Sequence, residues 1–174
     1  MGKRRIIKKK AFRLLLGDKS AEKALEESLK GRYYRKDVIA LFEIFRFGIG
    51  KSKQYPNLFL NGSFKLLAVI GKIATTVDAP AIVGILRNPQ IYTWEDRTFR
   101  MLVLAILNRI GTPDTIEVLD NARSCFAKID YSTRAVGCCR GGGRHIITGD
   151  QLREWDRRLI DETIHTIKMR YGMA

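Results

Sequence analysis

The chain has 174 residues, 45% hydrophobic and 29% charged, which supplies enough apolar material for a core without disulfide staples and excludes a wholly disordered protein. Lys and Arg number 32 against 18 Asp and Glu, and the net charge of +14 suggests a polyanionic partner, nucleic acid or a membrane surface, while saying nothing of fold. The longest apolar run, Met101 to Leu107, is far short of the ~18 residues a bilayer span requires, so no membrane span is expected.

In chain order, MGKRRIIKKK has the positive charge of a signal peptide but no apolar stretch behind it, and Ile6 stands where a myristoylation signal wants Ser or Thr. A cytoplasmic location and reduced thiols for the three cysteines are the expectation. Residues 1–33 are expected to form a basic extension with one or two short helices. Within it SAEKALEESLK, residues 20–30, pairs Glu26 with Lys30 on a solvated face. In residues 34–48, Val38, Leu41, Phe42 and Phe45 recur at helical spacing, with Gly48 as the expected C-terminal cap. The next helix is expected to open at Asn61 or Ser63, and Asp78 to cap another with Pro80 in its first turn. Thr93 with Asp96 and Thr148 with Gln151 have capping-box spacing, Thr112 precedes Pro113, and the last helix should run to Gly172.

LLAVIGKIA, residues 66–74, matches VLAILNRIG, residues 103–111, at an offset of 37, placing Leu67 on Leu104, Ala68 on Ala105 and Ile73 on Ile110. Paired helices at such a period indicate a stacked solenoid, and the apolar run at 101–107 asks to be covered on nearly every side. In residues 64–88 and 96–122, with Asp96, Arg100, Ala105, Leu107, Ile110 and Gly111, the chain resembles the HEAT repeat family, in the short form known from phycobilisome lyases. The resemblance implies an all-α fold, a short right-handed helical-repeat solenoid of the HEAT/armadillo kind. It would occupy residues 34–174 behind the basic extension, with a loop insertion at about 130–149.

That insertion holds VGCCRGGGRH, residues 136–145. Cys125, Cys138, Cys139 and His145 could be imagined around zinc, but adjacent cysteines lack the usual two-residue spacer, and no metal or cofactor is expected. A mobile basic loop, with Arg140 and Arg144 on a polyanion, is the favoured reading. GIGKS, residues 48–52, imitates the end of a phosphate-binding loop but has Phe45 where that motif needs Gly. Trp94 with Asp96, and Trp155 with Asp156, invite comparison with HEAT-like DNA glycosylases, although a capping role accounts for Asp96. His165 has no evident catalytic partner, and no catalytic residue is assigned.

Residues 1–60 hold 16 basic and 6 acidic side chains, residues 61–122 hold 6 and 6, and residues 123–174 hold 10 and 6. Two functions fit. One is a nucleic-acid or ribonucleoprotein binding module contacting phosphates through Lys3, Arg4, Arg5, Lys8, Lys9, Lys10, Arg13, Arg140 and Arg144. The other is a protein adaptor that uses the solenoid surface.

Overall fold

A computed structural model describes residues 3–30, 35–52, 54–88, 97–131, 136–140 and 143–173, without the side chains of residues 3, 56–58, 60, 136–140 and 143–147. The chain divides into two compact units, residues 1–74 and 75–174, rather than into an extension of 33 residues and a repeat domain.

The first unit is four helices: α1 (Lys3–Leu15), α2 (Lys19–Leu29), α3 (Arg35–Ser52) and α4 (Pro56–Ile73). In α1, Ile7, Ala11, Leu14 and Leu15 are fully buried at spacings of four, three and one, so one stripe of a strongly basic helix is core. It packs on α2, α3 and α4. Gly17 at φ +88° turns the chain, and Asp18 caps α2 by accepting from the Ser20 amide. Ala21, Leu25 and Leu29 give α2 a buried stripe, and its Glu26 pairs with Lys72 of α4 instead of the expected Lys30. Gly48 does not end α3, which continues to Ser52. The glycine serves a close approach instead, because a Cβ there would run into Leu15 and Ser63. Likewise α4 opens at Pro56, ahead of the expected Asn61 or Ser63, since proline suits a first helical turn.

The second unit contains α5 (Ala79–Val83), α6 (Arg97–Ile110), α7 (Ile116–Phe126), a ribbon of β1 (Val136–Arg140) and β2 (Gly143–Ile147), and α8 (Gly149–Arg170). Asp78 occupies the N-cap position of α5 with Pro80 in the first turn, as expected, but its side chain makes no bond there and instead closes a capping box started by Thr75 in the short turn before α5. Thr112 precedes Pro113 as expected, but Pro113 opens a 3-10 turn ahead of α7 and not α7 itself. The capping box of Thr148 and Gln151 opens α8, and Gly172 at φ +64° follows its end. Thr93, Trp94 and Asp96 lie outside the described residues. Along α6, Phe99, Val103, Leu104, Ile106, Leu107 and Ile110 are buried, while Met101 and Ala105 remain exposed. Helices α5 and α8 both pack on α6.

The class is all-α, in that the buried side chains of both units come mainly from helices. The expected loop at 130–149 needs correction, for β1 and β2 pair antiparallel with Val136 opposite Ile147 and Arg140 opposite Gly143. Between the last paired residues stand only Gly141 and Gly142, and a two-residue hairpin connection favours glycine. No helix among the described residues is long and apolar enough to cross a membrane.

Candidate nucleic-acid interface

The division into units concentrates the charge. Residues 1–74 carry 18 basic and 6 acidic side chains, a net +12, and residues 75–174 carry 14 and 12, a net +2. Helix α1 has no acidic residue at all.

The fold sorts the predicted basic residues into engaged and unengaged groups. Lys8 Nζ donates to Glu43 Oε2 of α3 at 2.8 Å, and this bond, reinforced by the charges of Lys8 and Arg4, holds the Glu43 carboxyl below its usual range. Lys10 Nζ donates to the Ala24 carbonyl at 3.0 Å and to Ser28 Oγ at 2.6 Å, tying α1 to α2. Arg13 grips Asp18, with Nη2 at 2.6 Å from Oδ2. Hydrogen bonds from Ser20 first and Arg13 second bring the Asp18 pKa down to about 2, so the carboxylate stays ionised at any ordinary pH. Arg5 and Lys9 are exposed and have no polar partner among the described residues. The Lys3 side chain is outside the description, as are those of Arg140 and Arg144, whose backbones pair with Gly143 and Cys139 in the ribbon.

Arg5, Lys9, Phe12 and Leu16 follow one another at intervals of four, three and four residues, on one face of α1 and into the turn that follows it. Phe12 is 42% exposed and Phe47 46%, with their rings 6.0 Å apart at 40°. Beneath them Phe59, 7% exposed, meets Phe47 edge-on at 6.1 Å and Tyr55 at 6.3 Å. An exposed aromatic group thus continues the basic face of α1. The aromatic component escaped the sequence reading, yet the spacing of Arg5, Lys9 and Phe12 was visible there. The convergence of Phe47, Tyr55 and Phe59 was not, because it depends on how α3 and α4 pack.

The other sequence candidates resolve differently. GIGKS lies within α3, where a helical backbone cannot wrap a phosphate. Asp156 is 2% exposed, accepting from Arg97 Nε at 2.8 Å, from Tyr131 Oη at 2.5 Å and from Arg100 Nη2 at 3.4 Å. Arg100, itself 1% exposed, also donates to Tyr131 Oη at 2.8 Å and lies over the Phe126 ring at 5.3 Å. Burial, followed by the bond to Asp156, pushes the Tyr131 phenol up to about 12. A carboxylate so enclosed is a structural hub that joins α6, α8 and the segment after α7. Trp155 and His165 are exposed. Cys125 is an exposed free thiol, while the side chains of Cys138, Cys139 and His145 are outside the description.

No protein-family profile, curated protein or solved structure matches this chain.

Proposed function

We propose that the protein is a non-enzymatic helical module that binds nucleic acid, free or within a ribonucleoprotein, through its first unit. The observation that carries this reading is the +12 charge gathered on residues 1–74, with Arg5 and Lys9 held on the outer face of a packed helix and without polar partners among the described residues. A rigid helix positions such charges at lower entropic cost than a tail would. The repeat at an offset of 37 supports reading the helices as short right-handed HEAT-like repeats, and that assignment is part of the proposal.

Salt dependence tests it. Arg5→Gln with Lys9→Gln should flatten the slope of log affinity against log salt by about 1.8 on duplex DNA or 1.4 on single strands, at about 0.9 and 0.7 per phosphate neutralised. Lys10→Gln should flatten it less, because that ammonium is occupied by Ala24 and Ser28. If the intact protein binds neither DNA nor RNA at low salt, the protein-adaptor function replaces this one.

A further inference from the structure

We infer that Phe12, Phe47 and Tyr55 form a stacking platform for unpaired bases, with Arg5 and Lys9 as the phosphate contacts leading onto it. This deepens the nucleic-acid reading above and rests on it. The rings are largely exposed, at 42%, 46% and 57%, in a unit that buries Phe42, Phe45 and Phe59 almost completely and Phe64 in part. Phe59 props Phe47 and Tyr55 from beneath, so the exposed rings are held on a floor and not left on loose side chains. Leu16, 41% exposed, extends the apolar surface one helical turn beyond Phe12.

An apolar patch alone would suit a protein partner equally well. Charge decides between them. Arg5 and Lys9 lie on the same face of α1 as Phe12, about 10 Å and 4.5 Å along the axis at 1.5 Å per residue, and both lack internal partners among the described residues. The carboxylate nearest in sequence to the platform is Glu43, one turn before Phe47 on α3, and Lys8 neutralises it. What remains is a cationic rail ending on π-faces. Single-stranded nucleic acid matches this pairing, since it offers phosphates and base faces together. Duplex keeps its base faces stacked internally and offers only the phosphates. RNA and DNA share the required chemistry.

The test uses the full chain and labelled oligo(dT), oligo(U) and a matched duplex, with affinity read by fluorescence anisotropy. Phe12→Leu and Phe47→Leu, which keep apolar bulk but remove the π-face, should each weaken binding to one or both single strands on the order of tenfold while leaving the duplex unchanged. Whichever of oligo(dT) and oligo(U) responds tells which of the two nucleic acids the site accepts. Tyr55→Leu, at the most exposed ring, gives the same readout should either phenylalanine variant melt lower than the parent. Unchanged single-strand affinity in all three variants, with Arg5→Gln/Lys9→Gln weakening every probe, overturns the platform and leaves the nucleic-acid function standing. No binding of any probe removes both. Should the ring variants lose binding only to vesicles containing anionic lipid, the patch belongs to a membrane surface and the inference is overturned.

Discussion

Asp156 shows what single residues can and cannot disclose. Beside Trp155 it reads as a catalytic candidate, and nothing in that neighbourhood announces Arg97, Arg100 and Tyr131, which reach it from 59, 56 and 25 residues away. Removing the carboxylate takes the counter-charge from two guanidinium groups, one of them fully buried, so Asp156→Ala should cost about 3–5 kcal/mol in denaturant unfolding. Tyr131 adds a pH signature. Its folded pKa of about 12 stands above the ordinary 10.0, so the folded state keeps a proton that the unfolded state releases first. The resulting stability is full below pH 10 and is lost as pH climbs towards 12; the melting temperature of the parent should fall more steeply over that interval than that of Tyr131→Phe. Ser63 has the opposite character. Its hydroxyl is buried without a hydrogen-bond partner among the described residues, so Ser63→Ala should raise unfolding free energy by about 1 kcal/mol, a sign that chemical denaturation reads directly.

Among the elements, α1 departs furthest from the sequence reading. Its basic residues outnumber its apolar ones on inspection and suggest an appended tail, but burial depends on where the apolar ones fall. Ile7, Ala11, Leu14 and Leu15 form a continuous stripe that the other three helices cover. Leu14→Ala should therefore cost about 2–5 kcal/mol, measured by thermal or chemical unfolding, and deleting residues 3–15 should unfold the first unit instead of merely weakening its binding. Gly62 makes a sharper test. Alanine is about 1 kcal/mol better than glycine inside a helix, yet a Cβ at Gly62 would overlap the backbone carbonyl of Leu15, which cannot swing aside as a side-chain tip could. Overpacking wins, and Gly62→Ala should lower the melting temperature. Helix positions were legible because periodicity and capping are local, as Thr148 with Gln151 shows; Gly48 misled because a glycine needed for close approach looks the same in sequence as one that ends a helix.

For the molecule as a whole, charge and unit boundaries coincide in a way the chain order only partly foreshadowed. The excess at the N-terminal end was plain from counting, but the division after residue 74 shows that α4 shares it and that the second unit is nearly neutral. Backbone chemical-shift changes on adding a single-stranded oligonucleotide should accordingly gather in residues 3–73 and spare α7 and α8. The repeat was legible as similarity, and Leu67 and Leu104 are both buried, at 0% and 2%. The boundary nonetheless falls inside the first copy, residues 64–88, because compactness is set by which helices touch and not by which segments look alike. One junction has a practical use. Tyr131 is anchored by Arg100 and Asp156, and Gly149 lies so close that a Cβ there would stand 2.9 Å from the Tyr131 carbonyl oxygen. The ribbon thus leaves and re-enters the second unit through a single fixed gate, and closing a loop across such a gate costs only about 0.6 kcal/mol more for each doubling of its length. A plain Gly-Ser linker grafted between Tyr131 and Thr148 should therefore leave α6, α7 and α8 folded, which the melting temperature of the graft would report.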